Sequence, residues 1–261
     1  MDENIKMFSN NQIMLFEKAY PDKYCDSLID YFENKGKKYT YKGLVGKQRN
    51  DKTIKKTIDL SLHKEPNYSN LKEEVSCIVN TMYDIFFTYW CYNCADKRPY
   101  IDSFLKNKEI DKLNRLYKGY MDKHLIYEFV MKKYLVKDKG FFNWHYDHNI
   151  IPHKVSSRKF SFCFYLNDVE EGGETQFYFQ KLGFNPKKGS ALIFSPYPTQ
   201  LHCSLPPKSN DKYVFSTWFC EDYEEQNPEE YKDMELWAEK NNLDISESHI
   251  SSKDTIKINE K

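Results

Sequence analysis

The tract Trp144-His145-Tyr146-Asp147 sets an imidazole and a carboxylate two residues apart. On a β-strand, residues two apart point to the same face. If 141–146 is a strand, His145 and Asp147 present two metal donors side by side. Two protein ligands do not hold iron firmly, so a third has to come from a facing strand. His202 is the sole histidine of the later β-rich region among the seven in the chain. Two histidines and one carboxylate leave three adjacent coordination positions open, as non-haem Fe(II) oxygenases require. The H-x-D spacing alone is weak, since with seven histidines and 39 acidic residues one chance match is expected. A lone instance reads better as a strand histidine bonded to its acidic neighbour. His148 should point away from the His145 face, and His153 falls in a loop, so both stay outside the set.

Ten residues after His202, Lys212 opens the run Lys212-Tyr-Val-Phe-Ser-Thr-Trp218. An oxoacid that chelates iron through its keto and C1 carboxylate groups places its far carboxylate deep in a barrel. That carboxylate needs a buried cation and a hydroxyl donor, because an unpaired buried charge is very costly. Lysine is a compact cation suited to the task. A solvent-facing position is the default for any one of 35 lysines, the remainder of 39 basic residues after Arg49, Arg98, Arg115 and Arg158. Its distance from His202 is what singles Lys212 out.

These residues need a scaffold. The first 125 residues read mainly as helix: Pro21 opens one that runs to Gly36, and another starts near Ser69. The second carries Leu71, Val75, Ile78, Val79, Met82, Ile85 and Phe86 at intervals of three and four, which marks one buried face. A third spans 100–117, and the lysine-rich stretch 37–64 reads as loop with short strands. Beyond Met121 come short β-branched and aromatic runs at 126–135, 141–146, 160–166, 175–180, 190–194, 200–203 and 213–220. Glycine, proline and acidic turns separate them, a pattern that predicts a double-sheet jelly roll or barrel. Gly172, Gly173 and Gly189 are expected at turns with positive φ, and Trp144 and Trp218 in barrel packing. A last helix is expected over about 228–241 and a polar, disordered tail over 246–261. The whole reads as one domain, 1–245, with helical support to about 125 and a catalytic core over about 126–222.

The chain has 261 residues and 39 residues of each charge sign. It offers no overall field to attract nucleic acid or an anionic membrane. No stretch approaches the roughly 20 apolar residues that span a bilayer, and 1–20 lacks the layout of a secretory signal. The seven cysteines (Cys25, Cys77, Cys91, Cys94, Cys163, Cys203 and Cys220) are odd in number and scattered. They read as reduced thiols of a cytoplasmic protein. Cys91 and Cys94 form a C-x-x-C without the second pair a zinc site would want, so an ordinary helix-end pair is the better reading. The basic stretch 47–56 reads as a solvated loop.

Residues from about 126 to 220 resemble the catalytic core of prolyl 4-hydroxylase-type Fe(II)/2-oxoglutarate dioxygenases. The resemblance rests on His145-x-Asp147, Tyr165-Leu-Asn-Asp-Val-Glu-Glu-Gly-Gly-Glu-Thr175, Pro186-Lys-Lys-Gly189-Ser-Ala-Leu-Ile-Phe194, His202, Pro206, Lys212 and Trp218. It covers somewhat over a third of the chain and implies a mainly β, double-stranded β-helix core backed by helices on its major sheet. It implies His145, Asp147 and His202 as iron ligands and Lys212 as partner of the distal carboxylate of 2-oxoglutarate. Tyr165, Tyr134 and Thr175 fall where the family contacts that co-substrate. Arg158 falls where it contacts the substrate peptide, and 149–157 would be the loop over the site. Three departures stand out: an insertion at 137–140 between Tyr134 and His145, Phe142 for a tyrosine, and Ser204 for a glycine.

The activity so implied is oxidative decarboxylation of 2-oxoglutarate to succinate and CO₂, coupled through O₂ to hydroxylation of an unactivated C–H, with ascorbate as reductant. A prolyl residue of a peptide or protein is the favoured substrate. A small molecule (free amino acid, sugar or nucleobase) is the alternative, and a catalytically inactive jelly-roll binding module is the rival from outside enzymology. A cupin-like enzyme without an oxoacid would leave Lys212 and the Tyr165–Thr175 tract unexplained. Nucleobase-demethylating relatives would carry arginines after the distal histidine, and none stands there, so no nucleic-acid partner is expected. Oligomeric state is not legible.

Overall fold

The computed structural model describes residues 4–9, 12–45, 49–64, 66–93, 97–121, 124–148, 158–221 and 256–257. In chain order the elements are β1 (Ile5–Phe8), β2 (Ile13–Phe16), α1 (Asp22–Glu33), β3 (Tyr41–Lys42), β4 (Lys55–Lys56) and β5 (Ile58–Ser61). The helices α2 (Asn67–Asn70), α3 (Lys72–Asn93), α4 (Arg98–Lys106) and α5 (Ile110–Met121) follow. The β-rich part holds β6 (His124–Tyr134), β7 (Phe141–His145), β8 (Arg158–Tyr165), β9 (Thr175–Phe177), β10 (Leu182–Phe184), β11 (Ala191–Phe194), β12 (His202–Ser204), β13 (Lys212–Glu221) and β14 (Ile256–Lys257). The strands form two antiparallel sheets. The larger runs β1-β2-β11-β8-β13-β6-β5-β3, with β14 also paired to β6, and the smaller runs β10-β9-β12-β7-β4. This is the expected jelly roll: mainly β, two sheets, helices behind the larger one.

Period-two alternation divides the interior into two cores. On β11, Ala191 and Ile193 join the cluster that packs on the helices through Leu28, Phe32, Ile78, Met82 and Phe86. Their neighbours Leu192 and Phe194 face the other way, into the cluster between the sheets with Tyr134, Tyr165, Phe177 and Val214. The helical layer is pinned by polar ties as well. Glu33, at the end of α1, accepts hydrogen bonds from Lys133 (2.6 Å) on β6 and the Tyr213 hydroxyl (2.8 Å) on β13.

Two expectations about the first 125 residues need correction. The chain does not open with helices: β1 and β2 form a hairpin, and β2 pairs with β11 in register Ile13 to Phe194. The partner strand lies far along the chain, so no local pattern announces it. The single helix expected over 100–117 is two, α4 and α5. Lys108 takes a left-handed conformation (φ 57°), with its N–H on Leu105 O (3.2 Å) and the Glu109 N–H on Phe104 O (2.8 Å). That is a Schellman stop with lysine where glycine is usual. The helix expected at 228–241, the tail from 246 (apart from β14), the 149–157 loop with His153, Cys94 of the C-x-x-C, and Lys47 and Gln48 of the basic stretch lie outside the described residues.

Gly172, Gly173 and Gly189 all have positive φ, as expected. At Gly189 (φ 74°) a Cβ would stand 2.5 Å from the Tyr20 carbonyl oxygen, and the Tyr20 N–H donates to Gly189 O at 2.9 Å. A side chain there combines a disfavoured backbone with a backbone clash. Gly189→Ala is therefore expected to destabilise the chain by about 1–3 kcal/mol, read as a lower denaturant midpoint. A midpoint equal to wild type would show that the Tyr20–Gly189 approach can relax at little cost.

Candidate metal centre

His145 ends β7 and His202 begins β12. These strands are hydrogen-bonded neighbours, with His145 and His202 as direct register partners. The third ligand position was expected on a facing strand; it comes from the next strand of the same sheet. Asp147 lies two residues past His145, just beyond β7, with Oδ1 3.7 Å from His145 Nε2. The ligand atoms of His145, Asp147 and His202 all fall within 4.8 Å of one another, the one His/Cys/Asp/Glu cluster of this kind among the described residues.

Each donor is oriented so that one atom stays available. His145 Nδ1 lies 2.7 Å from the Asn143 carbonyl and His202 Nδ1 2.9 Å from that of Gln200. A carbonyl only accepts, so Nδ1 carries the proton and Nε2 keeps its lone pair, as metal-binding histidines require. Asp147 Oδ2 accepts from the Ser161 hydroxyl (2.7 Å) and from Trp218 Nε1 (2.9 Å), leaving Oδ1 toward the histidines. Phe142 stacks on the His145 ring with centroids 3.5 Å apart.

The electrostatics agree. Burial, reinforced at His145 by its neighbour His202, holds both imidazoles below their ordinary range, so each is neutral and able to ligate at neutral pH. Burial alone would raise the Asp147 carboxyl, but His202, His145 and Arg158 outweigh it and hold it well below the usual carboxylate range. Two neutral imidazoles and one carboxylate suit an octahedral Fe(II) with three open positions.

The same cavity continues past the triad to Lys212. Its walls include Tyr134, Phe142, Thr175, Phe194, Ser204 and Val214. Lys212 is 0 % exposed. Its ammonium donates to Gly173 O (2.7 Å) and Ser204 Oγ (2.6 Å) and lies 4.9 Å from the Tyr134 ring centroid. Burial pushes it down to about 8. Tyr165 stands behind the cavity and donates its hydroxyl to Thr175 Oγ1 at 2.8 Å, so Thr175 is the wall atom and Tyr165 its support. The 137–140 insertion is absorbed in the β6–β7 turn, where Gly140 N–H bonds Leu135 O at 2.9 Å, and Tyr134 keeps its place beside Lys212.

Arg158 lies with its guanidinium 3.7 Å over the Trp218 ring, donating to the Asp147 carbonyl oxygen (3.3 Å) and to Glu128 (3.1 Å). Glu128 is the extra residue of a bulge in β6 opposite Thr217 and Trp218, and has φ 56°. His148 leaves the triad as expected, its ring 4.6 Å from Tyr197. Trp144 was expected in barrel packing; it is 40 % exposed and meets Tyr178 edge-on. Trp218 does pack in the barrel, but it also orients Asp147. Sequence reading missed Ser161, which holds the same oxygen, and Lys132, a cavity-lining lysine on β6. Ser161 carries no local motif, and Lys132 betrays itself only by sharing the Tyr134 face of β6, two residues away.

With this geometry in hand, comparison with known proteins places the fold. Residues 129–220 match the family model described as the 2OG-Fe(II) oxygenase superfamily, a span that contains the triad and Lys212. The chain is 36% identical over 93 residues to "Probable prolyl 4-hydroxylase 9" of Arabidopsis thaliana, covering 27% of this chain and 32% of the relative. It thus spans about a third of the length of that curated relative. A prolyl hydroxylase from Trichoplax adhaerens, solved with a hypoxia inducible factor peptide fragment, superposes with TM-score 0.59 at 11% identity, covering 82% of this chain and 86% of that one. A Pseudomonas putida prolyl-4-hydroxylase gives 0.54 at 13% identity, covering 80% and 92%. The structural likenesses show the jelly-roll fold. The family match and the curated relative bear out the resemblance to prolyl 4-hydroxylase-type oxygenases.

Proposed function

We propose, proceeding from that match, that the chain is an Fe(II)- and 2-oxoglutarate-dependent dioxygenase that hydroxylates a prolyl residue of a peptide or protein. The observation that carries the reading is one cavity holding both the His145–Asp147–His202 cluster and, beyond it, the buried Lys212. In this reading His145 Nε2, Asp147 Oδ1 and His202 Nε2 hold Fe(II), while Lys212 pairs with the distal carboxylate of 2-oxoglutarate. Tyr134 and Thr175 line the co-substrate's path, and Tyr165 fixes the Thr175 hydroxyl. Bound iron supplies the activation of O₂ that couples decarboxylation of 2-oxoglutarate, giving succinate and CO₂, to hydroxylation of a C–H bond.

The chain's own residues position and insulate. Ser161 and Trp218 hold one Asp147 oxygen so that the other faces the metal position. Phe142 and Phe194 keep the wall around the histidines apolar. Arg158, fixed over Trp218 beside Asp147, is the residue we assign to the substrate backbone. The prolyl assignment is supported by the curated relative's name and by the motif tract from Tyr165 to Thr175. Ascorbate as reductant belongs to the same proposal. So does a cytoplasmic setting.

The test is succinate formation by the purified chain with Fe(II), 2-oxoglutarate and ascorbate, with and without a proline-rich peptide. The expected result is peptide-stimulated succinate together with a gain of one oxygen on proline, both lost in His145→Ala. Succinate stimulated instead by a free amino acid, sugar or nucleobase would keep the oxygenase and replace the substrate.

A further inference from the structure

The oxoacid is a five-carbon dianion with a carboxylate at each end, and the foregoing reading gives it, besides the iron, one cation from the protein, Lys212. The cavity wall carries a second. Lys132 sits on β6 two residues before Tyr134, so both side chains share a face, roughly 7 Å apart along the strand. Across the ladder Lys212 is the register partner of Tyr134, and Val214 that of Lys132. Lys132 therefore stands one two-residue step from Lys212 along the same wall. Its ammonium lies 5.4 Å from the Trp218 ring centroid, and Trp218 in turn bonds Asp147. The side chain thus reaches toward the metal end of the cavity, while Lys212 marks the far end.

Lys132 is 8 % exposed, and among the described residues its ammonium makes no hydrogen bond or ion pair. The nearby carboxylates are engaged elsewhere. Asp59, its register neighbour on β5, is bound by Lys55 (2.5 Å) and by the Thr57 hydroxyl (2.6 Å). Asp147 gives one oxygen to Ser161 and Trp218 and turns the other to the histidines. A cation held in a protein wall without a partner is costly. Lys55, by contrast, is tied to Asp59.

We propose that Lys132 is a second anchor for 2-oxoglutarate, meeting the carboxylate at its metal-binding end while Lys212 holds the distal one. The inference rests on the co-substrate reading above. It makes the site a two-lysine clamp for a dicarboxylate, so that part of the recognition of the oxoacid's acid end comes from protein rather than from metal.

The test is calorimetric titration of the full chain loaded with Mn(II), without substrate, using 2-oxoglutarate and 2-oxovalerate. The latter keeps the keto-acid end and has a methyl group in place of the distal carboxylate. Lys132→Met is expected to weaken both ligands by about tenfold or more and to keep its Mn(II). Lys212→Met is expected to weaken 2-oxoglutarate alone. The Lys132 ammonium has no hydrogen-bond or ion-pair partner among the described residues and lies against the Trp218 ring, so Lys132→Met should melt close to wild type when no ligand is present. Unchanged affinity for both ligands in Lys132→Met overturns the inference, and so does weakening confined to 2-oxoglutarate. If Lys212→Met still weakens 2-oxoglutarate in either case, the co-substrate reading survives. Wild-type protein that binds neither ligand overturns that reading and the clamp together.

Discussion

Asp147→Ala should abolish Fe(II) retention and, with it, iron-dependent turnover. The carboxylate is the only anionic member of the cluster, lying between two neutral imidazoles and beneath Arg158. Without it the two histidines offer a divalent cation no charge, and two protein ligands do not hold iron firmly. The effect should exceed that of removing an outer support. Ser161→Ala leaves Asp147 with Trp218 as its remaining donor and should cost roughly 10–100-fold in metal affinity, the usual range for such partners. Equilibrium dialysis of the two variants against Fe(II) under anaerobic conditions gives the ranking. Iron retention by Asp147→Ala at the level of Ser161→Ala would show that the metal is held elsewhere.

The second large effect is expected at Lys212. If this ammonium pairs with a ligand carboxylate inside the wall, its removal leaves a buried carboxylate without a cation. Breaking such a pair costs about 3–5 kcal/mol, or between roughly 10²- and 10⁴-fold in the dissociation constant of 2-oxoglutarate for Lys212→Met. The same residue sets a pH dependence. Burial pushes Lys212 down to about 8 in the free protein, against an ordinary value near 10.4. A charged Lys212 is thus a cost to the ligand-free fold at neutral pH, a cost that fades as pH rises from about 8 to 10. Ligand binding needs the charged form, so affinity for 2-oxoglutarate should fall as pH rises past about 8. A dissociation constant flat from pH 7 to 9.5, with Lys212→Met equal to wild type, would remove Lys212 from the co-substrate site.

The centre was legible because its determinants are local. His145 and Asp147 are a two-residue spacing at the end of a strand with a recognisable texture. The Tyr165–Thr175 tract and the distance from His202 to Lys212 then fix the order of pieces around it. What the sequence concealed is set by distant pairing. The hairpin of β1 and β2 owes its place to β11. Lys132 is one of 35 lysines, and only the register of β6 against β13 turns it inward beside Val214. The break between α4 and α5 escaped notice because Lys108, not glycine, occupies the left-handed stop. Trp144 and Trp218 looked alike as apolar residues in strands. Their difference, one exposed and the other bonded to Asp147, is a matter of which face each strand turns to the cavity. Ser204 in place of a glycine read as a departure, and in the structure its hydroxyl receives the Lys212 ammonium.

The most direct measurement of the central claim is the conversion of 2-oxoglutarate to succinate and CO₂ by the full chain, with and without added Fe(II), beside His145→Ala and Lys212→Met. The account predicts equimolar succinate and CO₂ that require iron, disappear in His145→Ala, and in Lys212→Met return only at much higher 2-oxoglutarate. No iron-dependent succinate, together with no measurable binding of metal or 2-oxoglutarate, would contradict it and leave the chain a jelly roll with an inert histidine pair.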